Sequence, residues 1–99
     1  MEPTRVSDLL FGRGCRLPVA AWVLAHDKRF HQSRPPTFGS TSRSNVREEL
    51  ERLVRAGMLH RDEPGDGRVW YEQTDSPLWE VVETAVRVTA LHWRDDRLQ

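Results

Sequence analysis

The sequence predicts a mainly α-helical domain carrying one small β-hairpin, and three observations support this. Val46, Leu50, Leu53 and Val54 recur at helical spacing, and apolar residues do so again between positions 78 and 93. Two β-prone runs, residues 58–61 and 68–74, flank Glu63-Pro64-Gly65-Asp66-Gly67, whose composition is that of a turn. The chain has 99 residues, 37% of them hydrophobic. That suffices for one domain with a small core, which chains of this size often complete with a partner subunit.

In order along the chain, Thr4 or Ser7 is placed to cap a short first helix, with Val6, Leu9 and Leu10 on its apolar side and Gly12 and Gly14 ending it. A second helix starts near Leu17, with Pro18 at its first position, where a missing N–H costs nothing, and runs to about His26. Val19, Ala20, Trp22, Val23 and Leu24 make it apolar on most sides. Residues 30–39 read as irregular, because the adjacent Pro35 and Pro36 forbid a regular helix through that point. The clearest helix spans about 42–56, between the N-cap Ser42 and a C-terminal Gly57. A hairpin follows at about 58–74, with Val69 and Tyr71 turned to the core and Trp70 to the other face, toward the last helix. That last helix opens at Pro77 and extends to about Trp93.

Composition excludes several classes. Fifteen basic and fifteen acidic residues cancel, so the chain is no histone-like polycation. The longest purely apolar run, residues 19–25, falls far short of the ~20 needed to cross a bilayer. The opening Met-Glu-Pro-Thr-Arg has no apolar signal core. The expectation is a cytoplasmic protein without a membrane partner. The single cysteine, Cys15, rules out an internal disulfide or a multi-cysteine zinc site. His26, His31, His60 and His92 show no metal-ligand spacing. No nucleophile–base pair, phosphate-cradling glycine loop or paired catalytic carboxylates can be picked out, so neither enzyme activity nor a cofactor is expected. Charge is unevenly distributed: residues 1–47 carry net +5 and residues 48–99 net −5. A neutral chain divided this way can present a basic face. Fourteen of the fifteen basic residues are Arg, whose planar fork suits phosphate and guanine edges, although a GC-rich genome gives the same bias.

Residues 39–59, Gly-Ser-Thr-Ser42-Arg-Ser44-Asn45-Val46-Arg-Glu-Glu-Leu50-Glu-Arg-Leu53-Val-Arg-Ala-Gly57-Met-Leu59, followed by Arg68-Val-Trp-Tyr71-Glu-Gln-Thr74, resemble the winged helix-turn-helix regulators of the MarR/ArsR kind. In that pattern a Ser-capped recognition helix turns Val, Leu and Leu inward, ends in Ala-Gly and runs directly into a β wing. The resemblance covers about residues 30–74. It implies one winged-helix domain over residues 1–99, a recognition helix at about 42–56, a wing at about 58–74 and a C-terminal dimerisation helix at about 77–93. It also implies a transcriptional regulator that binds double-stranded DNA sequence-specifically. One departure stands out. The family has a regular helix leading into the turn, where this chain has Pro35 and Pro36.

The residues themselves support such a role. A Ser42-capped helix offers free N–H groups and a positive dipole end to a phosphate. With Val46, Leu50 and Leu53 inward, Ser44, Glu48, Arg52 and Arg55 face outward, flanked by Asn45 and Arg47. Asn reads adenine, Arg reads guanine and Glu accepts from cytosine N4. Read as plain surface, the same face would be held by Glu48–Arg52 and Glu51–Arg55 pairs. Lys28, Arg29 and Arg34, with no acid nearer in sequence than Asp27, are phosphate candidates, as are Arg43 and the hairpin residues Arg61 and Arg68. Asp62, Glu63 and Asp66 stand near the last two. Cys15, between Arg13 and Arg16, is a candidate redox residue if exposed. On the last helix Trp79, Val82, Val86, Thr89 and Trp93 form a heptad-like seam. A second row, Leu78, Val81, Ala85, Val88 and His92, lies beside it. Two rows exceed what one small domain covers, so the expectation is a two-fold homodimer through this helix, Leu78 included, joined by the first helix. The alternative is a winged-helix protein-interaction module whose Trp residues and acidic second half form the contact surface.

Overall fold

A computed structural model describes residues 7–8, 11–37 and 41–89, which form three helices and one three-stranded antiparallel sheet. Helix α1 (Arg16–Ala25) leads to strand β1 (Arg29–His31) and helix α2 (Arg43–Arg55). Strands β2 (Leu59–Asp62) and β3 (Trp70–Gln73) and helix α3 (Leu78–Thr89) complete the order. β3 is central, pairing with β1 through Phe30↔Tyr71 and with β2 through Arg61↔Tyr71.

α1 begins one residue before Leu17, so Pro18 stands third rather than first. It is still within the turn whose amides have no intrahelical acceptor. Ser7, Asp8 and Phe11 are helical where the short first helix was expected, and Ser7 also serves α1: its hydroxyl accepts from the Leu17 amide at 2.9 Å and donates to the Arg13 carbonyl. Gly12 ends the preceding turn, its amide bonded to the Asp8 carbonyl at 3.1 Å. Thr4, Val6, Leu9 and Leu10 lie outside the described residues.

Residues 29–31 form a strand where an irregular segment was expected, because three residues are too few to display a period. Residues 32–37 then run without a helix, as the two prolines require, and Pro35 is buried. α2 begins as anticipated: Ser42 is extended, and its Oγ accepts from the Asn45 amide at 3.2 Å. Its end is a Schellman turn. The Gly57 amide bonds the Val54 carbonyl and the Met58 amide the Leu53 carbonyl, with Gly57 at φ +78°. That left-handed conformation strains any residue with a Cβ.

The core lies between the helices and the inner sheet face. Val19, Trp22 and Val23 of α1 meet Val46 and Leu50 of α2, together with Phe30, Leu59, Val69 and Tyr71. Trp22 meets Phe30 edge-on at 5.3 Å, and Phe30 stacks on Tyr71 at 5.7 Å. α3 packs on α1. Trp79, expected at a dimer seam, is instead core, with its Nε1 donating to the Met58 carbonyl at 3.0 Å. Thr89 is also buried, and Val82 packs against the same core. The exposed row is the second one, with Leu78 46%, Val81 55% and Val88 73% accessible. Trp93 and His92 lie outside the described residues. Trp70 does turn away from Tyr71, but its partners are His31, edge-on at 5.3 Å, and the Arg29 guanidinium at 5.0 Å, both on β1 and not on the last helix. The unanticipated strand occupies that place. Among the described residues no helix is long and apolar enough to cross a membrane.

Candidate functional site

α2 carries most of the candidate side chains, and ion pairs from three other parts of the chain fix its position. Glu49 is buried, its side chain 4% accessible, and is ringed by Arg13 Nη1 at 2.8 Å, Arg16 Nε at 3.2 Å and Arg52 Nε at 3.5 Å. None of the sequence expectations used Glu49, and none placed Arg13, Arg16 or Arg52 against it. The available signal was position, since Val46, Glu49, Leu50 and Leu53 stand at i, i+3, i+4 and i+7 on the inward stripe. Its partners are not local. Arg13 and Arg16 come from 36 and 33 residues away.

The other two acids of α2 are also neutralised from outside the helix. Glu48 accepts from Arg13 Nη1 at 3.0 Å. Glu51 accepts from Arg61 Nη1 at 3.0 Å and from the Tyr71 hydroxyl at 2.6 Å. Neither expected i, i+4 pair, Glu48–Arg52 or Glu51–Arg55, forms, because partners from the segment before α1 and from the hairpin take those acids. Arg34, Arg47, Arg55 and Arg68 are exposed, and their side chains make no ion pair among the described residues.

At the start of α2, Ser42 and Ser44 share a hydroxyl contact of 3.0 Å, and Arg43 donates to the Pro35 carbonyl. Asn45 is half-buried, and Arg47 lies on the opposite flank of the outward face. Arg61 is tied to Glu51 and also to Glu63 at 3.2 Å, so the hairpin is clamped to α2. At the hairpin tip the Arg68 amide bonds Asp66 Oδ1 at 2.9 Å, leaving the Arg68 guanidinium outward. Lys28 and Arg29 are not brought to α2. Lys28 sits 3.4 Å from Asp75 and Arg29 3.0 Å from Asp62, acids 47 and 33 residues further along that the local sequence does not reveal. Such exposed pairs are worth about 0–1 kcal/mol and yield readily to a competing anion.

Among the described residues four groups are electrostatically displaced. Burial opposes the charge of Arg61, but the nearby Glu51 and Glu63 outweigh it and push the guanidinium up. Hydrogen bonds to Glu49 and Glu48 push Arg13 further up, so it stays cationic at every accessible pH. Burial and then the bond to Glu51 push the Tyr71 hydroxyl up. Burial, then the nearby Glu49 charge, push the Cys15 thiol up against the opposing pull of Arg13. Cys15 is 6% accessible, so the exposure that a redox role requires is not met. No protein-family model, curated protein or solved structure matches this chain.

Proposed function

We propose that this chain is a winged helix-turn-helix regulator that reads double-stranded DNA through α2, with the β2–β3 hairpin as its wing, acting as a two-fold dimer on a palindromic operator. The element order helix, strand, helix, hairpin, helix, with β1 against β3, fits that scaffold. Residues 32–37 run as an irregular connection where the family has its first motif helix. One observation carries the reading. The acids of α2, which would repel phosphate, are engaged by arginines and a tyrosine from other elements, while Arg34, Arg47, Arg55 and Arg68 stay exposed and unpaired among the described residues. A basic outward surface results on a chain of zero net charge.

In this reading the capped start of α2 meets a phosphate through Ser42 and its free amides, and Asn45, Arg47 and Glu48 reach base edges. Arg34, Arg43 and Arg68 meet the backbone. Affinity for duplex should fall steeply with salt. Asn45→Ala with Arg47→Ala should remove operator preference, costing about 1–3 kcal/mol per base pair read, without changing the melting curve. Unaltered operator binding by the double variant would reject the assigned face. Absence of duplex affinity at about 50 mM salt would favour the protein-interaction module instead.

A further inference from the structure

We propose that Arg13 is a positioning residue for Glu48, holding it as a preset hydrogen-bond acceptor on the outward face of α2; this rests on the DNA-reading assignment above. Arg13 lies ahead of α1 and 35 residues from Glu48. Its Nη1 carries two hydrogens and reaches two carboxylates, Glu49 Oε2 at 2.8 Å and Glu48 Oε1 at 3.0 Å. One end of this bridge is rigid, since Glu49 is 4% accessible and is also held by Arg16 and Arg52. The other end is exposed: the Glu48 side chain is 58% accessible and would otherwise sample many rotamers. Arg13 therefore transfers the order of the buried cluster to a solvent-facing carboxylate.

Two details give that carboxylate a use. Only Oε1 is engaged, so Oε2 accepts no bond among the described residues and is available to an amino donor. In the major groove the base donors are cytosine N4 and adenine N6, and Glu characteristically accepts from cytosine N4. A bare carboxylate there would be repelled by phosphate, whereas Glu48 is approached as part of a cluster. Three guanidiniums, of Arg13, Arg16 and Arg52, stand against the carboxylates of Glu48 and Glu49, leaving one unit of positive charge. The outcome is acceptor chemistry without a repulsive field.

The test compares site selection from random duplexes, followed by measured affinities, for the wild type, Glu48→Ala, Arg13→Ala, the double variant and Arg13→Lys. Glu48→Ala should lower discrimination at one base-pair position per half-site by roughly fivefold or more. Arg13→Ala should lower it at that same position, and the double variant should lose no more than Glu48→Ala alone. Arg13→Lys, which keeps a cation with several hydrogens, should restore part of the preference. Glu49 retains Arg16 and Arg52 in every variant. If Arg13→Ala nevertheless fails to fold, Arg13→Lys and Arg13→Gln carry the comparison. A uniform loss of affinity over all sequences, with the preference intact, would overturn the positioning role and leave the DNA-reading assignment standing. A wild type without salt-dependent duplex affinity would overturn both.

Discussion

At Cys15 local sequence and tertiary environment pull in opposite directions. Its neighbours Arg13 and Arg16 favour a thiolate, but both guanidiniums are committed to Glu49, and the thiol itself is buried. Burial dominates, so the thiol should react slowly with an aromatic disulfide reagent in the native protein at pH 8 and rapidly in urea. Equal rates in both states would restore the redox reading. Ser42 is the opposite case, where local chemistry suffices. Its Oγ satisfies the Asn45 amide, and Ser42→Ala should cost about 1 kcal/mol in chemical denaturation. Because the same group heads the proposed phosphate contact, the substitution should also weaken duplex binding without altering base preference.

Between elements, the decisive joint is the one between α2 and the hairpin. Glu51 takes bonds from Arg61 and Tyr71, one from each hairpin strand, and so fixes the hairpin's angle to the helix. Tyr71→Phe should destabilise by about 1.5 kcal/mol, the lower end for a bond to a charged group, since Glu51 keeps Arg61. The pH dependence follows from the raised phenol. Near pH 10 the unfolded chain gives up the Tyr71 proton while the folded chain keeps it, so the folded state binds more protons and stability falls as pH rises. Tyr71 is the chain's only tyrosine, so tyrosinate absorbance reports it alone. Its native titration should be displaced above that of the urea-unfolded chain, and the Phe variant should lose the corresponding part of the alkaline destabilisation. Coincident titrations would refute the buried bond.

For the whole molecule, the proposed dimer turns on which row of α3 is free. Trp79 and Thr89 are spent within the chain, so the proposed dimer has the row Leu78, Val81, Ala85 and Val88 to use. Phe11, Val81, Ala85 and Val88 line an open groove of about 480 Å³ along that row, with Glu80 and Thr84 at its side. Val81→Glu and Val88→Glu should therefore give folded monomers by sedimentation and weaken operator binding strongly, because two half-sites one helical turn apart, about 34 Å, need two linked copies. A wild type that sediments as a monomer at micromolar concentration would remove the dimer from the proposal.

The helices and the hairpin were legible because each is determined by its own segment. Ser42 and Gly57 bound α2, and Val46, Leu50 and Leu53 give its inward side by period alone. Gly65 and Gly67 mark the turn between β2 and β3, both at positive φ. The pairings between segments were not legible. β1 exists because the far side of β3 offers a row of hydrogen bonds, and three residues carry no pattern announcing it. The row of α3 that is buried was decided by how the helix rolls against α1, since both rows satisfy the same apolar period. The partners of Glu48, Glu49 and Glu51 were decided the same way. In sequence each acid has an arginine nearby at helical spacing, but an exposed i, i+4 pair is worth only a few tenths of a kcal/mol. At Glu48 and Glu51 tertiary contacts from Arg13, Arg61 and Tyr71 outweigh it, and at Glu49 Arg13 and Arg16 add to the local pair with Arg52. Sequence alone thus determined which of the described segments are helical and, for α2, where the helix begins and ends; the packing of those segments decided which charges remain free, because ion-pair partners are chosen by distance in space.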